Sequence, residues 1–227
     1  MRGIINKPDI GNLIFFIFLL IPIFILSYEG LLGDSFNLNP LTLFIWVTAM
    51  LCFSVIEVPI YRFRTKKPEY SSKEQKLLEE IYSVPVAEEL REGTAAYKSS
   101  VTLNVGGSIL PIILSFYLLA VNPMIEILVI LLIMVVITHL FSTIRDGVGV
   151  VVPNYIGLLV VPLAFVLAED AAPVIFITGV CGILLGIVTK LLSIEEDDGS
   201  AFFNIGGSGS FNAIYITIIL SVLFSIF

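Results

Sequence analysis

The stretch GNLIFFIFLLIPIFILSY, residues 11–28, carries no charged side chain. A helix that crosses the hydrocarbon core of a bilayer needs about 20 predominantly apolar residues. Six further stretches of the chain have a similar length and composition, and we predict that all seven are transmembrane helices. The seven predicted spans cover residues 11–28, 41–61, 101–121, 124–141, 148–168, 172–193 and 207–227.

The overall composition favours the same class of protein. Of the 227 residues, 57% are apolar and 14% are charged, and the mean hydropathy is +1.02. Soluble domains carry about 25% charged residues, so lipid must solvate part of this apolar surface. We therefore expect an all-α, polytopic transmembrane helical bundle with about seven spans and a small cytoplasmic loop subdomain.

Few residues in the chain are suited to metal or nucleic-acid chemistry. Cys52 and Cys181 fall inside apolar stretches, and the only histidine is His139. These residues provide neither a CxxC motif nor a metal-ligand spacing, so we predict no metal site, no cofactor and no disulfide. The net charge is −7 and basic residues do not alternate with aromatic ones, which argues against a nucleic-acid partner.

The distribution of basic residues predicts the orientation in a cell membrane. Basic residues accumulate in cytoplasmic loops. With a cytoplasmic N-terminus and seven alternating spans, all 12 basic residues lie on the cytoplasmic side and the C-terminus is extracellular. They are Arg2, Lys7, Arg62, Arg64, Lys66, Lys67, Lys73, Lys76, Arg91, Lys98, Arg145 and Lys190.

The predicted spans divide the chain into three regions. Residues 1–61 hold the first two transmembrane helices, residues 62–99 form the cytoplasmic loop, and residues 100–227 form a five-helix membrane domain. Ser71 and Glu74 have the spacing of a capping box, which predicts a helix start inside the loop. Residues 81–86 and 95–101 are predicted to be extended, although a solvated loop without regular structure remains the alternative.

One motif occurs twice, with its two copies starting 100 residues apart. Asn104–Ser108 reads NVGGS and Asn204–Ser208 reads NIGGS, and each lies near the predicted cytoplasmic start of a span. In a helix, Asn204, Ser208 and Asn212 are spaced i, i+4 and i+8 and would form one polar stripe.

Two interpretations of the doubled motif stay open. Paired glycines let membrane helices pack closely. Alternatively, both helices begin inside the membrane, with free N–H groups that face a polar cavity and bind a ligand. The residues predicted to bind a ligand in the second case are Asn104, Gly106, Gly107, Ser108, Asn204, Gly206, Gly207, Ser208 and Asn212.

Several short groups of residues after the first predicted span follow one another in a recognisable order. They are Val58–Arg62, Asn104–Pro111 (NVGGSILP), Leu114–Leu119, Gly147–Gly149 with Pro153, Ala171–Pro173 with Gly179 and Gly182, and Ile205–Ile214 (IGGSGSFNAI). This order resembles an uncharacterised prokaryotic family of multi-pass membrane proteins, a domain of unknown function with NVGG...P and GGAGTFDG-like motifs. The resemblance implies a membrane domain and no established activity.

Two positions depart from the pattern of that family. Val188 and Asn212 stand where the family pattern has Asp. An ionisable residue inside a span is a functional-site hypothesis by default. The resemblance therefore implies that a proton- or cation-linked step that uses this pair is absent or altered in this chain.

Three functions are compatible with these patterns. The first is a transporter-like membrane protein, or one that binds a small molecule or an ion through Gly-rich broken helices, with the lipid bilayer as its other partner. The second is an intramembrane aspartyl-protease-like protein, expected to be inactive, since activity would need two close carboxylates. The third is a non-catalytic scaffold whose loop, residues 62–99, recruits a partner.

The acids available to the protease lie at or beyond the cytoplasmic ends of the predicted spans. They are Asp146, Asp197 and Asp198. We therefore predict no catalytic residue and favour a protein that is not an enzyme.

Overall fold

The computed structural model describes residues 5–6, 9–91, 96–194 and 199–226. In these ranges the helices are α1 Ile10–Tyr28, α2 Pro40–Cys52, α3 Ser72–Tyr82, α4 Val86–Arg91, α5 Leu110–Val121, α6 Glu126–Phe141, α7 Val160–Leu167, α8 Ala171–Val174, α9 Val180–Leu191 and α10 Phe211–Phe224. The strands are β1 Glu57–Lys66, β2 Ala96–Asn104, β3 Thr143–Arg145, β4 Gly149–Val151 and β5 Phe202–Ile205. A π-helical turn, Val105–Ile109, leads from β2 into α5, and a second, Ile175–Gly179, joins α8 to α9.

The expectation of an all-α fold is wrong, because the chain contains a mixed sheet. Its strand order is β1-β2-β5, with β1 antiparallel and β5 parallel to β2. A separate antiparallel hairpin is formed by β3 and β4. The apolar side chains Phe203 and Ile205 on β5 pack into the same core as the helices, so part of the hydropathy that predicted spans belongs to strands.

The prediction of seven transmembrane helices is also wrong. Among the described residues, two helices are long and apolar enough to cross a membrane by length and composition, Ile10–Tyr28 and Ala171–Leu191. Five other apolar helices have 10–17 residues; they are Pro40–Val55, Val105–Val121, Glu126–Phe141, Ile156–Leu167 and Phe211–Phe224. Three predicted spans, 41–61, 101–121 and 148–168, lose their length because each includes residues of a strand, β1, β2 or β4.

The two long helices have different surroundings. The apolar window of Ala171–Leu191 is 78% buried, whereas that of Ile10–Tyr28 is only 22% buried. Helix α6 packs closely on α9, since a Cβ atom on Gly182 would lie 2.5 Å from the Cβ atom of Met134. Small residues permit such close packing of apolar helices. The helix Ala171–Leu191 is therefore the centre of the helical body, and α1 lies at its edge.

The strands, α3 and α4 form a polar layer at one end of the helices, comprising residues 57–91, 96–104, 143–151 and 199–210. Its parts are joined by hydrogen bonds, including Gly147 N to Gly199 O at 2.7 Å and the Tyr70 hydroxyl to Asp146 O at 3.3 Å. A small apolar cluster of Val84, Val86 and Val148 packs the helices of this layer against the β3–β4 connection.

The predictions for the loop are confirmed in part. Ser71 and Glu74 form a capping box at the start of α3, and hydrogen bonds from the Ser71 hydroxyl and backbone lower the pKa of the Glu74 carboxyl. Residues 96–101 are extended as part of β2, whereas the extended segment predicted at 81–86 is wrong because α3 continues to Tyr82 and α4 starts at Val86.

The two copies of the repeated motif lie side by side. Parallel pairing of β2 with β5 places Thr102 beside Asn204 and Leu103 beside Ile205. Immediately after these strands, a Cβ atom on Gly107 would overlap the carbonyl oxygen of Gly206. Gly206 has φ +77, a conformation that glycine adopts at little cost. Close backbone packing therefore accounts for the glycines at these two positions.

We predict that Gly107→Ala destabilises the protein by about 1–3 kcal/mol or more, the usual cost of overpacking a core. The added methyl group has backbone on its far side and cannot move aside. The matched control is Gly11→Ala in α1, where the Cβ atom would lie 3.5 Å from Asp9. Alanine favours a helix by roughly 1 kcal/mol over glycine, so the control should be neutral or stabilising. Thermal unfolding of the purified proteins measures both, and equal midpoints would contradict the prediction.

Candidate functional site

A cleft of about 370 Å³ lies where the start of α1, the start of β1 and the start of α10 meet. Its volume falls in the range of small-molecule sites, roughly 300–1,000 Å³. Its walls combine polar side chains with a few apolar ones. The lining residues are Asn6, Asp9, Asn12, Leu13, Phe16, Leu51, Ser54, Val55, Glu57, Ile81, Tyr82, Ser83, Val151, Val152, Pro153, Asn154, Gly207, Ser208, Gly209, Ser210, Phe211 and Asn212.

The predicted ligand-binding residues divide into two groups. Gly207, Ser208 and Asn212, all from the second motif and the residues after it, line the cleft. The others do not line it and lie in the layers behind; they are Asn104, Gly106, Gly107, Ser108, Asn204 and Gly206. Whether any of the nine binds a ligand stays a prediction.

The second motif is a strand followed by a turn. Asn204 belongs to β5, and positive φ angles at Gly206 and Gly209 turn the chain before α10 begins at Phe211. The predicted helical stripe of Asn204, Ser208 and Asn212 is therefore wrong. Ser208 and Asn212 reach the cleft through the turn, while Asn204 stays buried on the sheet.

Asn104 in the first motif is fully committed to the backbone. Its Oδ1 atom accepts a hydrogen bond from Gly107 N at 2.8 Å, and its Nδ2 atom donates to Ser54 O at 2.6 Å. The Ser108 hydroxyl donates to the Asn104 carbonyl. The first N–H groups of a helix need such partners, so Asn104 caps the π-helical turn and ties it to the end of α2.

The wall of the cleft at the start of β1 is formed by a buried carboxyl group. Glu57 is 2% exposed, and its Oε2 atom lies 2.9 Å from the hydroxyl oxygen of Thr102. Its Oε1 atom accepts a hydrogen bond from Asn204 Nδ2 at 2.8 Å. The Thr102 hydroxyl also lies 2.7 Å from Asn204 Oδ1. Glu57, Thr102 and Asn204 thus close a ring of three contacts, which we call the Glu57 ring.

Sequence reasoning missed Glu57 and Thr102. A usable signal existed, since Glu57 is the only charged residue in the apolar stretch 41–61. Ionisable residues in such stretches are expensive and usually functional. Nothing in the sequence points to Thr102, whose role depends on the parallel pairing of β2 and β5.

Gly207 connects the repeated motif to this carboxyl group. A Cβ atom on Gly207 would lie 2.9 Å from Glu57 Oε1 and 3.1 Å from the Cβ atom of Asn204. Only a residue without a side chain leaves the carboxyl in its place and keeps the cleft open beside it.

The wall formed by α1 carries a second carboxyl group. Asp9 caps the helix and accepts hydrogen bonds from Asn12 N at 3.2 Å and from Asn12 Nδ2 at 2.8 Å. Between the polar walls, Phe16 and Phe211 pack edge to face with centroids 6.0 Å apart. The cleft therefore offers two carboxyl groups, several amides and hydroxyls, and an aromatic surface.

The other ionisable residues considered from the sequence lie elsewhere. His139 Nδ1 lies 3.1 Å from Thr189 Oγ1, which links α6 to α9. Asp146 Oδ1 accepts a hydrogen bond from Gly199 N at 3.0 Å, while Asp197 and Asp198 lie outside the described residues. Burial, followed by the charges of Asp146 and Glu74, raises the pKa of Tyr70, against the opposing effect of Arg145.

The two positions that depart from the family pattern are not equivalent. Asn212 lines the cleft, whereas Val188 on α9 packs against the apolar core. Within the described ranges, no group of three or more His, Cys, Asp or Glu residues could hold a metal ion.

Comparison with known families identifies the class of the chain. The family model described as Protein of unknown function (DUF1614) matches residues 51–224, and the chain belongs to this family. The match covers β1, both copies of the repeated motif and therefore every member of the Glu57 ring. The searches of curated proteins and of solved structures gave no match.

We predict that Asn104→Ala lowers stability by about 1–2 kcal/mol, the upper range for loss of a helix cap, because the Ser54 carbonyl also loses its donor. The control is Asn39→Ala, which removes the exposed cap of α2, where Oδ1 accepts from Leu41 N at 3.0 Å. The control should cost clearly less. Denaturant unfolding in detergent measures both, and a cost at Asn104 no larger than that at Asn39 would contradict the assigned role.

Proposed function

We propose that the protein is embedded in a membrane through its helical body. Helix α1 has 19 residues, which at 1.5 Å per residue is roughly 28 Å and close to the thickness of the hydrocarbon core. Its side chains Ile10, Ile14 and Phe18 are exposed, as are Leu132 and Leu140 on α6. Water-soluble monomers rarely expose large contiguous apolar patches, and lipid is the solvent that fits these faces.

We further propose that the polar layer faces the cytoplasm. The described basic residues of the chain cluster in this layer or beside it, which is the side that the positive-inside rule assigns to the cytoplasm. They are Arg62, Arg64 and Lys66 on β1, Lys67, Lys73 and Lys76 in and before α3, Arg91 at the end of α4, Arg145 on β3 and Lys190 in the last turn of α9.

Membrane insertion predicts a position-dependent effect of charge on α1. Phe18→Arg puts a charge near the middle of the helix, which costs about 3 kcal/mol in an inserted span. Tyr28→Arg, at the equally exposed end of the helix, should cost little because arginine reaches the interface there. The fraction of protein that stays with membranes after alkaline washing should fall for Phe18→Arg alone. A wild-type protein released by the wash would refute membrane embedding.

We infer that the cleft binds a small polar molecule or an ion at the cytoplasmic end of this membrane body. The observation that carries this proposal is a cleft of about 370 Å³, lined by Asn12, Glu57, Ser208 and Asn212, beside an otherwise apolar helical body. Polar groups at such a depth are costly unless they are satisfied, and a pocket with convergent polar groups is the default ligand site.

A specific observation favours a second candidate, in which the ligand is a membrane amphiphile. An apolar groove of about 650 Å³ runs between α1 and α2. Leu13, Leu51 and Val55 line both this groove and the cleft. A lipid could place its head group in the cleft and its chain in the groove, so the two candidates differ in whether the ligand needs an apolar chain.

The experiment is thermal unfolding of the purified protein with a panel of ions, polar metabolites and lipids. A ligand that binds only the folded state raises the midpoint by mass action. Asn212→Ala removes an amide from the cleft and should reduce or abolish the shift. The control, Asn122→Ala, removes an amide at the far end of α5 and should keep it.

The outcomes separate the candidates. A shift caused by water-soluble compounds supports the first, and a shift that requires an acyl or isoprenoid chain supports the second. A shift that survives Asn212→Ala and Asn122→Ala alike would place the ligand outside the cleft. A panel without any shift would count against a ligand of the tested classes.

A further inference from the structure

The Glu57 ring contains too few hydrogen atoms if Glu57 is ionised. The Thr102 hydroxyl has one hydrogen, yet its oxygen lies 2.9 Å from Glu57 Oε2 and 2.7 Å from Asn204 Oδ1. A carboxylate and an amide oxygen are both acceptors only. With Glu57 ionised, one of these two contacts would bring two acceptors together without a hydrogen between them.

Reversing the Asn204 amide does not remove the conflict. The amide nitrogen could then donate to Thr102, and Thr102 could donate to Glu57. The amide oxygen would, however, face Glu57 Oε1 across the 2.8 Å contact that Nδ2 now makes. Two acceptors again meet, so either orientation of the amide requires one more hydrogen in the ring.

A neutral carboxyl group satisfies all three contacts. The Glu57 Oε2–H group donates to Thr102 Oγ1, the Thr102 hydroxyl donates to Asn204 Oδ1, and Asn204 Nδ2 donates to Glu57 Oε1. Burial acts in the same direction, since a carboxyl removed from water favours its uncharged form. Glu57, Thr102 and Asn204 are exposed by only 2%, 2% and 1%.

We propose that Glu57 is a proton-binding site in the wall of the cleft, with its proton held in the ring by Thr102 and Asn204. When the site empties, the O–H bond of the carboxyl breaks, the electron pair stays on Oε2, and the proton passes to water or to a base in the cleft. The emptied ring then holds one contact between acceptors, which favours rebinding of a proton or binding of a cation.

The neighbouring groups are compatible with a neutral carboxyl. Of the described residues that line the cleft, Asp9 on α1 and Tyr82 at the end of α3 are the other titratable ones. A negative charge on Asp9 in the same cleft disfavours a second negative charge on Glu57. The residues next to Glu57 on the sheet, Thr102, Asn104 and Asn204, are uncharged.

The site predicts an unusual outcome for Glu57→Gln. The introduced amide can accept from Asn204 through its oxygen and donate to Thr102 through its nitrogen, which reproduces the protonated ring. At neutral pH the unfolding midpoint of this variant should therefore equal or exceed that of the wild type. Glu57→Ala leaves the buried polar atoms of Thr102 and Asn204 without these partners and should lower the midpoint, as such groups are costly when unsatisfied.

The pH dependence of stability gives a second test. The unfolded chain releases the Glu57 proton above about pH 4.3, while the folded protein retains it. In that range the unfolded state binds fewer protons, so this group makes stability fall as pH rises. The fall ends once Glu57 ionises in the folded protein. Glu57→Gln should lack this component, and Glu74→Gln, a change at an exposed acid, should retain it.

Infrared spectroscopy of the wild type tests the proposal without a change in sequence. A protonated carboxyl group gives its own carbonyl band, which shifts in heavy water and should persist at neutral pH. Glu57→Gln should remove that band. Its absence from the wild type, or a Glu57→Gln protein as unstable as Glu57→Ala, would overturn the proposal. The ring alone carries it, so the ligand panel and this test can fail independently.

Discussion

The backbones of Gly107 and Gly206 approach so closely that neither position has room for a side chain, and this contact positions the rest of the polar layer. It lets β2 and β5 run parallel as neighbours and brings the starts of α5 and α10 together. It also leaves Gly207 against the carboxyl of Glu57. A methyl group at the contact would separate the strands and disturb the ring, the turn and the cleft at once.

The structure satisfies its buried polar groups mainly within the polar layer. Asn104 serves the turn after β2, while Thr102 and Asn204 serve Glu57. The helices beyond the layer bury apolar side chains such as Phe176, Ile183 and Ile187. This separation lets one end of the molecule hold water and ions while the helical body stays compatible with lipid, because unsatisfied polar groups in hydrocarbon are expensive.

The sequence predicts the helical content better than the membrane topology. Hydropathy found a helix in each predicted span, and the capping box at Ser71 and Glu74 is confirmed. It could not distinguish a strand from the end of a span, because Val101 and Phe203 are apolar for the sake of a sheet core. The repeat identified two segments that meet, but Thr102 depends on pairing between strands about 100 residues apart, which no local pattern records.

The members of the Glu57 ring are far apart along the chain, 45 residues from Glu57 to Thr102 and 102 from Thr102 to Asn204. During synthesis the ring cannot close until β5 has left the ribosome, by which time α1, α2, α5, α6 and α9 have all been made. Closing such long loops costs chain entropy before any contact offsets it. The apolar helices can assemble earlier from local contacts, so the ring stays open through most of biogenesis. The acid–amide ring is thus a late checkpoint, completed only in a chain whose helical body has already formed.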